Sequence, residues 1–184
     1  MYKRQVFVYT NYPTAELFIN GKSYGKQSKN NSSLKNRYRL MWMDAVYEPG
    51  EVKVVAYNKE GKAVAEKVVR TAGKPHHIEL VSNRNELTAD GKDLAYVTVK
   101  VVDKDGNLCP TDNRQINFSA KGTGKYRAAA NGDPTNLEQF HLPKMHAFNG
   151  MLTAIIQAGE TAGEIVFTAK ANGVKAGNIR IQTK

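Results

Sequence analysis

Hydrophobic residues in this sequence recur at every second position, in runs that are all short. Val97-Thr98-Val99-Lys100-Val101-Val102 is a clear case: β-branched, nearly alternating, and bounded by Asp and Gly. A period of two lines one face of a strand, whereas a surface helix needs a period of about 3.6. Similar runs occupy Gln5 to Tyr9, Glu16 to Ile19, Val52 to Tyr57, Ala63 to Val69, Ile116 to Ser119, Met151 to Ile156, Ile165 to Ala171 and Ile179 to Gln182. Turn chemistry separates them: Asn20-Gly21, Pro49-Gly50, Lys59-Glu60-Gly61-Lys62 and Asp103-Lys104-Asp105-Gly106-Asn107. No stretch of helical length carries an amphipathic pattern. The alternation therefore predicts an all-β chain built from antiparallel sandwiches.

Length divides that prediction in two. The chain has 184 residues, and Ala72-Gly73-Lys74-Pro75 follows the strand-like run Ala63 to Arg70 as a short linker, with one flexible residue and one of fixed φ. The expectation is two consecutive immunoglobulin-like antiparallel β-sandwich domains, residues 1–72 and 73–184. Lys26 to Lys35 is polar apart from Leu34 and is expected to form a loop.

Charge and composition remove several classes of function. The net charge is +10, of which residues 1–72 carry +7. The cations are dispersed among strands and turns instead of being grouped on a recognition helix, and no zinc-finger or RNA-binding aromatic motif accompanies them, so nucleic acid is not an expected partner. No run approaches the ~18–20 apolar residues of a helical membrane span. A single cysteine excludes a disulfide framework within the chain. The opening Met1-Tyr2-Lys3-Arg4-Gln5 leads into an apolar run too short for a signal peptide.

Several motifs resemble one enzyme family. Glu16-Leu17-Phe18-Ile19-Asn20-Gly21-Lys22-Ser23-Tyr24-Gly25 is similar to a signature of the domains that follow the catalytic barrel in glycoside hydrolase family 2. Trp42, then Val46-Tyr47-Glu48-Pro49-Gly50-Glu51-Val52, and later Val69-Arg70-Thr71-Ala72-Gly73-Lys74-Pro75, resemble further segments of that region. Leu87-Thr88-Ala89-Asp90-Gly91-Lys92-Asp93, Asn131-Gly132-Asp133-Pro134 and Ala147-Phe148-Asn149-Gly150 resemble an invasin-like, bacterial immunoglobulin-like domain appended to such β-galactosidases. The resemblance implies a non-catalytic C-terminal fragment of a β-galactosidase, supporting the barrel, its active-site loops or a dimer. It implies the upstream barrel of the same polypeptide as partner, leaves a carbohydrate and a homodimer open, requires no cofactor, and suggests a periplasmic or extracellular bacterial setting. A carbohydrate-binding module and an adhesin-like cell-surface spacer are the alternatives.

A retaining glycosidase needs two carboxyl groups ~5–5.5 Å apart across the scissile bond. In the family both are barrel glutamates, and no strand–helix alternation here could build a barrel, so no catalytic residue is assigned. Asp133, Glu138, His141 and His146 lie together in an irregular stretch, but such residues gather on loops without function. Asp103, Asp105 and Asn107 resemble the start of a calcium loop, yet Leu108 and Arg114 stand where that loop needs Gly and Glu. His76 and His77, adjacent on a strand, are expected on opposite faces. Cys109 has no nearby His to activate it, and no metal site is assigned. For sugar binding the candidates are Trp42 and Tyr47. Tyr38, Leu40 and Trp42 share strand parity, which predicts one common, core-facing side with the indole N–H needing a partner. Tyr47, beside a turn, is expected to be exposed. Any weak sugar surface would combine Tyr47 with Trp42.

Overall fold

A computed structural model describes residues 3–184; Met1 and Tyr2 lie outside the described residues. The chain divides into two compact units, Met1–Thr71 and Ala72–Lys184. Ala72 packs against the core of the second unit, which places it on that side of the boundary. Every regular element among the described residues is a strand, and no helix is long and apolar enough to cross a membrane.

The first unit contains β1 (Lys3–Val8), β2 (Thr14–Ile19), β3 (Lys22–Ser28), β4 (Leu40–Val46), β5 (Glu51–Tyr57) and β6 (Ala63–Arg70). A four-stranded sheet has the order β3-β2-β5-β6, and β1 pairs with β4 in a second sheet. Alternation decides which faces meet. Ala15, Leu17 and Ile19 of β2 are buried, each opposite an apolar residue of β5: Ala56, Val54 and Val52. Leu40, Trp42 and Ala45 of β4 complete this core. Trp42 and Ala45 are an odd distance apart in sequence, yet both point inward. The β1–β4 register explains this: Arg4 pairs with Ala45 and Val6 with Trp42, so β4 carries one extra residue between those pairs, a bulge. Asn20 and Gly21 both have positive φ (48° and 79°), the signature of a two-residue hairpin whose twist suits β2 and β3.

The second unit contains β7 (His77–Ser82), β8 (Glu86–Leu87), β9 (Leu94–Val102), β10 (Gln115–Gly122), β11 (Gly124–Ala130), β12 (Lys144–His146), β13 (Met151–Ala158), β14 (Gly163–Lys170) and β15 (Gly177–Thr183). Its sheets have the orders β12-β10-β14-β15-β8 and β11-β13-β9-β7. Ala95, Val97, Val99 and Val101 of β9 and Leu152, Ala154, Ile156 and Ala158 of β13 line one inner face; Ile116, Phe118, Ile165, Phe167 and Ile181 line the other, and all share one core. Phe118 stacks between Tyr126 and Phe167, with ring centroids 5.5 and 5.9 Å away. Pairing between strands is antiparallel except at β15–β8, where two residue pairs run parallel; an isolated bridge between His77 and Lys175 is parallel as well.

One segment departs from the sequence reading. The polar stretch from Lys26 is not all loop: Lys26 to Ser28 complete β3, with Glu16 opposite Lys26 and Thr14 opposite Ser28. Leu34 is no anchor, since its side chain is 84% exposed. An edge strand needs no second buried face, so polar residues suffice once a hairpin turn has set the register.

Candidate functional site

The two aromatic candidates of the first unit have different environments. Trp42 is 4% exposed. Its Nε1–H donates to the Gly25 carbonyl at 3.1 Å, which supplies the partner a buried indole requires. A ring enclosed to that degree has no free face for a sugar, so a surface combining Trp42 with Tyr47 does not form. Tyr47 lies beyond the end of β4, 52% exposed, with its hydroxyl 3.2 Å from Thr71 Oγ1. Tyr38 does not share the inward face of Leu40 and Trp42: β4 begins only at Leu40, strand parity does not reach Tyr38, and that ring is 65% exposed.

The Asp103 turn is a structural clamp. Its buried carboxylate accepts from the backbone N–H groups of Gly73 (2.7 Å), Asp105 (2.9 Å) and Asn107 (2.8 Å) and from Asn107 Nδ2 (3.0 Å). These donors, Gly73 first, hold the carboxyl far below the usual range. A carboxylate so engaged ties the start of the second unit to the end of β9. His76 and His77 do meet, with Nδ1 atoms 3.0 Å apart and rings edge to face. Strand alternation fails there because β7 begins at His77 and His76 precedes it. Cys109 is buried, and burial, with the charges of Asp103 and Asp112, pushes its thiol up.

The residues that converge on one place belong to the long connection between β11 and β12. An open cleft of about 550 Å³ lies there, walled by Asn113, Asp133, Asn136 and His146 among others. Pairing of β12 with β10 sets His146 opposite Gln115, beside the segment that carries Asn113. That segment is fixed by Arg114, whose guanidinium holds the Asp112 carboxylate (Nη2 to Oδ2 2.6 Å) and donates to the Asn172 carbonyl (2.6 Å). The connection is braced from within. Asn131 donates to the His146 carbonyl at 3.0 Å. Asp133 Oδ1 accepts the N–H and hydroxyl of Thr135, at 2.9 and 2.7 Å, and these donations hold its carboxyl below the ordinary range. Glu138 grips His146 twice, at the backbone N–H and at Nδ1, each 3.0 Å away. Burial works to raise the Glu138 carboxyl; the donations from His146 outweigh it, and the group lies below its usual range.

The cleft thus unites Asp133, Glu138 and His146 from the sequence candidates but not His141. It adds Asn113 and Asn136, which sequence reasoning did not select. Asn136 Nδ2 is the one buried side-chain polar atom without a hydrogen-bond partner among the described residues. Such an orphan donor costs about 1–3 kcal/mol and calls for an explanation. No group of three or more metal-ligating side chains forms among the described residues.

Two consecutive β-layered units, each with its own core, make the chain a tandem of β-sandwich modules. The family model for glycoside hydrolase family 2 C-terminal domain 5 matches residues 78–180, and a model for a domain of unknown function (DUF4982) matches residues 3–65. The chain belongs to glycoside hydrolase family 2 through that C-terminal domain. It is 41% identical to a beta-galactosidase of Bacteroides ovatus over 92% of its own length and 19% of the relative's. It is 29% identical to a beta-galactosidase of Thermoanaerobacter pseudethanolicus over 98% of its length and 24% of that protein's. The crystal structure of a glycosyl hydrolase family 2 member from Bacteroides cellulosilyticus matches with a TM-score of 0.87 and 34% identity, over 98% of this chain and 23% of that one. The chain therefore spans about a fifth to a quarter of the length of these relatives, and it corresponds to a C-terminal accessory region of family 2 enzymes.

Proposed function

We propose that the chain serves a β-galactosidase as its C-terminal accessory part, a pair of β-sandwich modules that support a catalytic barrel carried elsewhere in the same polypeptide. One observation carries this reading: nearly the whole chain aligns with only about a fifth of a beta-galactosidase. The chemistry of the chain agrees. Two of its carboxylates, Asp103 and Glu138, are committed to backbone donors and to a histidine. A carboxylate so committed fixes loops and is unsuited to act as a nucleophile toward a sugar. The parent would be a retaining hydrolase of terminal β-D-galactosides working outside the bacterial cytoplasm, and the two modules would contribute stability and active-site support.

The test uses the purified chain and the complete gene product that contains it, each assayed on a chromogenic β-galactoside. The expected result is turnover by the complete product, none by the chain, and faster thermal inactivation when residues 1–184 are deleted. Turnover by the isolated chain, or a complete product without galactosidase activity, would refute the reading.

A further inference from the structure

We propose that the cleft beside the β11–β12 connection is a binding site for a neutral saccharide, with Asp133, Asn113 and His146 taking its hydroxyls and Leu137 covering its C–H face. This inference stands apart from the accessory-part reading, since it concerns only the second unit and a bound sugar, not catalysis.

The first support is unspent hydrogen-bonding capacity. Asp133 Oδ1 is engaged by Thr135, while no protein donor reaches Oδ2 among the described residues. Asn113 Oδ1 accepts the Asn149 N–H at 3.1 Å, which leaves both amide protons of Asn113 unused. Glu138 occupies His146 Nδ1, so Nε2 remains for a ligand. Asn136 Oδ1 accepts the Glu138 N–H at 2.9 Å, which helps hold the connection in place. A wall of this kind offers an acceptor, two amide donors and an imidazole nitrogen, all already oriented by internal bonds. Hydroxyl groups both donate and accept, so adjacent hydroxyls on a sugar ring match this mixture. Preorganisation lowers the ordering cost of binding.

Size, polarity and charge narrow the ligand. A volume of about 550 Å³ falls within the ~300–1,000 Å³ typical of small-molecule sites. Leu137 is 95% exposed on the cleft wall. It contributes nothing to the core there, but it provides the apolar surface that a pyranose C–H face needs. Two carboxylates line the cleft and no Lys or Arg does, so a uronate or a sulfated sugar meets like charge. The favoured class is a neutral hexose or a short neutral oligosaccharide.

Titration of the ¹⁵N-labelled 184-residue chain tests this, with methyl β-galactoside and lactose as neutral probes and galacturonate as the acidic one. Saturable shifts confined to Asn113, residues 131–138 and residues 146–148 are expected with the neutral sugars, in the millimolar range usual for a small, open site, and none with galacturonate. Asp133→Asn keeps the acceptor for Thr135 and is expected to weaken binding at least about tenfold. Asn113→Ala and Leu137→Ala should do the same, and the exposed Leu137 makes unfolding an unsuitable explanation for that variant. Absence of saturable shifts, equal binding of galacturonate, or affinity unchanged in both Asp133→Asn and Leu137→Ala would overturn the proposal.

Discussion

Replacing Trp42 should unfold the first unit selectively, because its indole is the largest side chain in a small core. Among the described residues, the buried cluster of that unit holds six apolar side chains, Ala15, Leu17, Ile19, Leu40, Trp42 and Ala45. A folded unit of about 70 residues carries ~4–10 kcal/mol of stability at ~0.05–0.15 kcal/mol per residue. An aromatic side chain that buries ~150–250 Å², at ~25 cal/mol per Å², contributes at most ~4–6 kcal/mol, and Trp→Ala substitutions in cores cost ~3–5 kcal/mol. Trp42→Ala is thus expected to remove most of the first unit's stability. Trp42→Phe keeps much of the ring but forfeits the donation to the Gly25 carbonyl, ~1 kcal/mol, and some packing, ~1 kcal/mol. At ~1 kcal/mol per molar urea for a small unit, its midpoint should fall by ~2 M.

The assay follows urea unfolding by ¹⁵N–¹H NMR, using Leu17 and Ile19 amides for the first unit and Val99 and Phe167 amides for the second, whose cores are separate clusters. Trp42 is the chain's only tryptophan, so in the wild type its emission reports the first unit alone and should resist acrylamide quenching until that unit unfolds. A Trp42→Ala chain with the wild-type midpoint at Leu17 and Ile19, or native emission quenched as freely as that of the unfolded chain, would refute the placement of this ring in the core.

Three further outcomes follow from the same geometry. The Asp103 carboxyl has a folded pKa below its unfolded value of about 3.9. Its stabilisation is therefore complete above that value and is lost as pH falls toward and through the folded one, so Asp103→Asn should flatten the acid-side decline of the second unit's urea midpoint. Gly50→Ala would set a Cβ 2.0 Å from Asn20 Oδ1, which accepts the Glu51 N–H at 2.7 Å. It should cost at least twice the ~1 kcal/mol expected from Gly61→Ala, where φ is +77° but no atom lies within 4 Å; urea denaturation of the two variants compares them. The buried Cys109 thiol should react with a disulfide reagent at least about a hundredfold more slowly in the native chain than in urea, since opening of the unit limits access.

What was legible in the sequence follows from how each element is stabilised. β2, β5, β9 and β13 bury one face against a core, so each has alternating apolar residues and could be read directly. β3 has only Tyr24 facing the core, and β11 is built largely from Gly and Ala. Their pairing comes from a hairpin turn and from neighbouring strands, and neither leaves an apolar pattern to detect. The boundaries of strands misled in the same physical way. Parity does not extend from Trp42 back to Tyr38 or across His76–His77, because in both places one residue lies outside the strand, where backbone pleating no longer directs side chains.

The cleft shows a different kind of limit. Asp133, Glu138 and His146 attract notice in sequence because they are titratable and close together, whereas Asn113 and Asn136 do not, since amides are common in turns. Asn113 reaches the cleft because β12 adds to the edge of β10 through three residue pairs, a contact between distant parts of the chain. The sequence contains no local signal for that short edge pairing, as Lys144-Met145-His146 buries only Met145. A site assembled from one loop and one edge strand therefore becomes visible only when register is known. Register also separates the residues that the sequence only shows to be near one another: Glu138 and His146 satisfy one another, and the capacity left for a ligand belongs to Asp133, Asn113 and the far side of the imidazole.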